Sequence, residues 1–193
     1  MTAVQQSILN KNRKDKFLLV LTLPNILKEV NKISLGDRAS KYLNQDSLQY
    51  SIYGAAVPNI AIPEVDVAYS GQTAKYTSYN RPAYGAVTVN FAVDNGYNNW
   101  WVLWYWLNII NNSETGTYNS DNIADGTAYK NVHGYETNIT VYGLDEYNNK
   151  KIQFDYTRAF ITGLGEIVFN YQTADQMDSS FTFAFSQFNS KLL

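Results

Sequence analysis

Apolar and polar residues alternate along much of this chain. In FLLVLTL, Phe17, Leu19, Leu21 and Leu23 share one side while Leu18, Val20 and Thr22 share the other. With both sides largely apolar, the stretch predicts a strand covered on two faces, and Pro24 ends it. In AVTVNFAV, Val87, Val89, Phe91 and Val93 oppose Ala86, Thr88, Asn90 and Ala92. Ile139 and Val141 alternate with Thr140 and Tyr142, and Ile152, Phe154 and Tyr156 with Gln153 and Asp155. Near the end, Phe181, Phe183 and Phe185 oppose Thr182, Ala184 and Ser186, a strand with one face for a core and one that can be wet. A further strand is expected from about Leu48 to Tyr53, after which Pro58 and Pro63 keep the chain out of regular helix or central sheet.

One segment breaks the period of two. After the turn formers Asp94, Asn95 and Gly96, NNWWVLWYWLNII holds all four tryptophans within seven positions. As a helix over residues 98 to 110 it places Trp100, Leu103, Trp104, Leu107 and Ile110 on one stripe, Trp101, Tyr105 and Asn108 on a second, and Val102, Trp106 and Ile109 on a third. The first stripe is expected to cover the sheet, so Trp100, Leu103, Trp104 and Leu107 join Phe181, Phe183 and Phe185 as candidate core. Burying one large apolar side chain contributes roughly 1.5–3 kcal/mol. Trp101, Tyr105 and Trp106 therefore need a second cover, for which a neighbouring subunit is expected; an ordinary monomeric core and an aromatic ligand platform are the alternatives. At ~1.5 Å per residue the helix falls well short of the ~30 Å hydrocarbon thickness, so no integral membrane span is expected.

Strands joined through a single aromatic-rich helix predict a mainly β fold, an antiparallel sandwich or partial barrel with one flanking helix, rather than alternating βαβ units. One domain over residues 1–193 is expected, with an excursion at 24–47 that can hold short helices after Pro24 and Gly36. Residues 66–84 read as an extended loop or hairpin arm around Gly71, rich in tyrosine. Tyr69, Tyr76, Tyr79, Arg81 and Tyr84 are its preferred contact residues, against the simpler reading of a surface hairpin. Residues 111–134 read as a polar, turn-rich connection, and NNK at 148–150 as a hairpin tip.

Composition removes most chemistry from this picture. Fifteen basic residues against 17 acidic ones, net −2, give no broad attraction for nucleic acid. The chain has no cysteine, hence no disulfide or thiolate metal site, and its single histidine, His133, cannot form a histidine cluster. GLGE at 163–166 is not a dinucleotide-binding glycine pattern, and no serine sits in a nucleophile elbow. Glu64 with Asp66, Asp145 with Glu146, and Asp155 read as loop or sheet-surface charges rather than acid/base pairs. No enzyme activity, catalytic residue, cofactor or metal is expected. The amino-terminal stretch lacks the apolar core of an export signal. A glycan-binding sandwich, with tyrosine and tryptophan stacking on sugars, is an alternative of a different class.

The order of elements resembles the tail tube proteins of tailed bacteriophages, more those of contractile tails. The resemblance begins at Phe17 to Leu23 and resumes with GAAVPNIAIPEVDVAYSGQTAKYTSY. It is strongest over AVTVNFAVDNGYNNWWVLWYWLNII and continues from NITVYGLDEYNNKK to SSFTFAFSQF. Phe160 to Glu166 stand where such proteins turn a glycine corner into a strand, although FITGLG lacks the proline often found there. The resemblance implies a structural virion protein: hexameric rings stacked head to tail into a helical assembly, with the inner strands of neighbouring subunits joined round a lumen that conducts genomic DNA during ejection. Such closure removes exposed sheet edges, and cyclic symmetry closes heterologous contacts. It implies self, sheath, baseplate and tail-terminator proteins as partners, location in the virion tail after assembly in the host cytoplasm, and non-specific passage of DNA. A tube initiator or baseplate protein of the same fold is the near alternative. The basic KNRKDK at 11–16 reads first as a solvated arm, then as an inter-ring or sheath contact, and last as a DNA contact, because tight phosphate binding along a channel would slow passage.

Overall fold

The computed structural model describes residues 11–24, 27, 51–111, 113–114, 134–172 and 174–193. Within them run strands β1 (Phe17–Leu21), β2 (Ile52–Ala55), β3 (Glu64–Tyr69), β4 (Gln72–Thr77) and β5 (Val87–Ala92), then helix α1 (Asn98–Ile110). Strands β6 (Thr137–Leu144), β7 (Lys150–Leu164), β8 (Asp178–Ala184) and β9 (Gln187–Leu192) complete the order. Seven strands form one antiparallel sheet in the order β1-β6-β7-β8-β5-β2, with β9 also on β7, while β3 and β4 pair with each other. The mainly β, antiparallel architecture with a flanking aromatic-rich helix is therefore as expected, in the form of an open, bent sheet rather than a closed barrel. Most of the 24–47 excursion and of the 111–134 connection, including His133, lies outside the described residues.

Strand β7 organises the sheet. Its first part pairs with β6 on one side and β9 on the other, and its last part with β8. Between them stands Arg158, with φ 55°, as an extra residue in the ladder: Ile139 faces Tyr156, but Thr137 faces Ala159. This bulge reverses the in–out alternation. Tyr156 points into the core, Arg158 out, and Ala159 and Ile161 in again. The partner ribbon changes phase at the same level, from Phe181, Phe183 and Phe185 to Phe188. A bulge of this kind bends a strand and lets it serve two sheet regions. The Arg158 guanidinium locks it by donating two hydrogen bonds to Glu136, at 2.8 and 3.1 Å. The bend thus precedes the Phe160–Glu166 corner implied by the family resemblance, and β7 runs straight through to Leu164. Gly165 instead serves a close approach, since a Cβ there would lie 2.9 Å from the Ser180 carbonyl oxygen.

The inward residues build one core: Leu19 and Leu21 of β1, Val89 and Phe91 of β5, Ile139 of β6, Tyr156 and Ile161 of β7, and Phe181 and Phe183 of β8. Phe185 joins it just beyond β8. The Tyr156 ring stands edge-on to Phe183 and Phe185, at centroid distances of 5.3 and 5.0 Å, and its hydroxyl donates to the Ala56 carbonyl at 3.2 Å. Burial pushes this phenol well above its ordinary titration range.

Helix α1 sits in that core with a rotation different from the one expected. Its buried residues are Asn99, Val102, Leu103, Trp106 and Ile109. Trp106, expected at a subunit interface, is 1% exposed, and Trp104, expected in the core, is 36% exposed. Trp100 and Leu107, with Trp101 and Tyr105, are half-buried against the core. The physical reason is polar. Asn99 donates to the Ala92 carbonyl at 2.8 Å and to the Ser51 hydroxyl at 3.0 Å, and accepts from the Asp94 amide at 3.2 Å. At the other end Trp106 donates its indole N–H to the Tyr135 carbonyl at 3.0 Å. These bonds satisfy buried polar atoms and orient a helix whose apolar residues lie on nearly every side.

Candidate assembly surfaces

The surface that the core leaves unused is concentrated in the β3–β4 hairpin. Its two-residue turn is Ser70-Gly71 with both φ positive, 47° and 78°, the combination that matches strand twist in a tight hairpin. The register places Val65 opposite Tyr76, Val67 opposite Ala74 and Tyr69 opposite Gln72. These residues share one face. The other face carries Glu64, Asp66, Ala68, Thr73, Lys75 and Thr77, with Lys75 paired to Glu64 and lying 3.8 Å from Asp66. The hairpin is thus amphipathic, yet Val65, Val67, Tyr69 and Tyr76 are all exposed. A two-stranded hairpin alone is marginal in water, and an apolar face without a cover marks an interaction surface.

The flanks extend this surface. Val57, Ile60 and Ile62 are exposed in the approach to β3. On the return, Tyr79 is 92% exposed and has φ 54°, a conformation costly for a residue with a bulky side chain. Arg81 donates to the Tyr84 hydroxyl at 3.0 Å, and Tyr84 stacks on Phe185 at 5.2 Å, which ties the hairpin's base to the core. Of the arm's five candidate contacts, Tyr69, Tyr76, Tyr79 and Arg81 thus lie on open surface, whereas Tyr84 is half-buried at the base. On α1, Trp101 and Tyr105 stack at 5.0 Å with an interplanar angle of 9°, forming a flat, half-buried aromatic pair.

A second exposed apolar group lies in the connection from β7 to β8. Val168, Phe169 and Tyr171 are exposed, Phe169 by 71% and Tyr171 completely, and the Phe169 ring approaches Tyr97 at 6.5 Å. Sequence reasoning did not single out these residues, nor Val65 and Val67. For the hairpin a signal was present in the alternation of EVDVAY before Ser70-Gly71; for residues 168–171 no periodic pattern separates contact from core.

The acidic groups have structural partners. Asp145 accepts from the Tyr147 and Asn149 amides and from the Asn149 side chain, and the last of these does most to hold its carboxyl below the usual carboxylate range. This turn, Asp145 to Asn149, is the hairpin tip, beginning three residues before the NNK expected for it. Asp155 accepts from the Thr140 hydroxyl at 2.9 Å and from Gln153. In the amino-terminal basic cluster, Arg13 pairs with Asp15 at 2.8 Å and Lys16 donates to Asn148 at 2.8 Å. Among the described residues no group of three or more histidine or acidic side chains is placed to hold a metal ion, and no helix is long and apolar enough to cross a membrane.

Comparison with known proteins agrees with a surface built for assembly. Residues 12–191 match the model of a family described as phage tail tube protein. No curated protein matches the chain. Among solved structures, a chain of the PVC sheath-tube complex of an extracellular contractile injection system, in its extended state, aligns with TM-score 0.59 at 12% identity, over 96% of this chain and 95% of that one. The anti-feeding prophage tube-terminating cap aligns with TM-score 0.60 at 14% identity, over 100% and 99%. The PVC sheath/tube terminator aligns with TM-score 0.57 at 12% identity, over 98% and 99%. At such identities the likeness is one of fold.

Proposed function

This chain belongs to the phage tail tube protein family, and from that premise we propose that it is the structural subunit of a tail tube, closing into hexameric rings that stack head to tail around a DNA-conducting lumen. The observation that carries the reading is the β3–β4 hairpin: an amphipathic arm outside the main sheet, with an apolar face that its own chain leaves exposed. A neighbouring copy is the natural cover, and Tyr69, Tyr76, Tyr79 and Arg81 are the contact residues we assign to it, with Trp101 and Tyr105 as a second contact between copies.

Ring closure also suits the sheet. Its outer strands β1 and β2 each have one hydrogen-bonded neighbour among the described residues, and edges of this kind are protected when sheets of adjacent subunits join. The exposed positions of β5 that flank its buried ones are Thr88 and Asn90, polar and uncharged, a lining suited to passage of a polyanion without capture. Sheath, baseplate and terminator proteins are the partners this role requires, and the virion tail is its location.

Negative-stain electron microscopy of the purified chain across a concentration series tests the proposal. Uniform rings or hollow stacked tubes are expected, and a persistent monomer at high concentration overturns it. The likeness to the anti-feeding prophage cap favours one second reading, a cap or initiator of the same fold. It predicts rings that stop at a single layer.

A further inference from the structure

We infer that the β7–β8 connection, residues 166–171, receives the apolar face of the β3–β4 hairpin from the next copy in the stack. This inference rests on the tube reading and specifies the contact within it. Strand β5 supplies the geometry. At its first residue, Val87 lies opposite Phe183, and the preceding Tyr84 anchors the hairpin's base on Phe185. At its last residue, Ala92 lies opposite Asp178, Val93 donates to the Met177 carbonyl at 2.8 Å, and Phe169 meets Tyr97. The hairpin's base and the β7–β8 connection therefore mark opposite ends of one strand, separated by roughly 15–20 Å of extended chain.

Two exposed apolar surfaces at opposite ends are what a translational stack needs. They differ in sequence and shape: the hairpin presents a flat face of Val65, Val67 and Tyr76, and the connection presents the projecting side chains of Val168, Phe169 and Tyr171. A contact between unlike patches on identical chains is heterologous and propagates along an axis. The hairpin's other face, held by the Lys75 ion pairs, stays suited to water, so the arm docks in one orientation. The connection carries Glu166 as its only charge, which leaves its apolar side chains free of a desolvation penalty from charged neighbours.

The absence of cysteine makes the test direct. Val67→Cys and Phe169→Cys are prepared as separate variants, assembled alone and as an equimolar mixture, then oxidised mildly and run on a non-reducing gel. The mixture is expected to give a covalent dimer, each single variant alone to give little, and the double variant to give a ladder of multimers. Asp66→Cys, on the hairpin's polar face, mixed with Phe169→Cys is expected to cross-link at least tenfold less. Microscopy of the same samples separates the two levels of the argument. Stacked tubes without the Val67–Phe169 cross-link overturn this contact and leave the tube reading standing; absence of rings and tubes from every sample, including the unsubstituted chain, overturns both.

Discussion

The sheet–helix core and the β3–β4 hairpin are built from the same kinds of residue and reach opposite outcomes. In the core, Phe181, Phe183, Tyr156 and Trp106 are buried and the polar atoms of Asn99 and the Trp106 indole find partners within the chain. In the hairpin, valines and tyrosines alternate just as regularly, with a well-formed turn and ion pairs, but their apolar face remains in solvent. Alternation shows that a strand has an apolar side; it does not say whether that side is covered by the same chain or by another copy. The difference between the regions divides the molecule into a part that folds and a part that assembles.

That division can be broken most severely at Trp106. Trp106→Ala is expected to destabilise the monomer by about 3–5 kcal/mol in chemical denaturation, since it empties a fully buried site and removes the bond to Tyr135. Assembly would then fail because folding fails. Asn99→Ala should cost about 1–3 kcal/mol, because the Ala92 carbonyl loses its partner and the helix loses the group that orients it; a stability loss below that range would mean that apolar packing alone sets the helix rotation. Trp101→Ala is expected to weaken assembly more than monomer folding, and equal losses would place its role within the subunit.

A smaller effect comes from Tyr156. Its phenol titrates above the ordinary value of 10.0 because it is buried. The unfolded chain therefore releases this proton first, so the contribution is intact below about pH 10 and is lost as pH rises beyond it, with a slope of at most about 1.4 kcal/mol per pH unit. Thermal melts between pH 8 and 11 should show a shallower alkaline decline in Tyr156→Phe than in the unsubstituted chain. The smallest effect on folding is expected in the hairpin: Val65→Ser with Val67→Ser should change monomer stability by no more than about 0.5 kcal/mol while abolishing tubes in the microscope. A large loss of monomer stability there would erase the distinction between the two regions.

Much of this molecule was legible in its residues. Period-two alternation located β1, β5, β6, β8 and the first part of β7, because each has one face in the core, and the Asp94–Gly96 turn located the start of α1. The arm was legible as tyrosine-rich and centred on Gly71. The helix rotation was not, since an apolar stripe can be counted only where the remaining sides are polar, and here tryptophan, tyrosine and aliphatic residues occupy all of them. The bulge at Arg158 was equally hidden: a left-handed arginine has no propensity signal, and it is held by Glu136, twenty-two residues away.

The sequence by itself therefore determined the class of fold, the existence of the helix and the absence of thiol chemistry, because these follow from local periodicity and composition. Only the tertiary structure decided which tryptophan is core, where β7 bends and which valines remain exposed. Those outcomes depend on hydrogen bonds and packing between residues distant along the chain: Asn99 with Ala92 and Ser51, Trp106 with Tyr135, and Arg158 with Glu136.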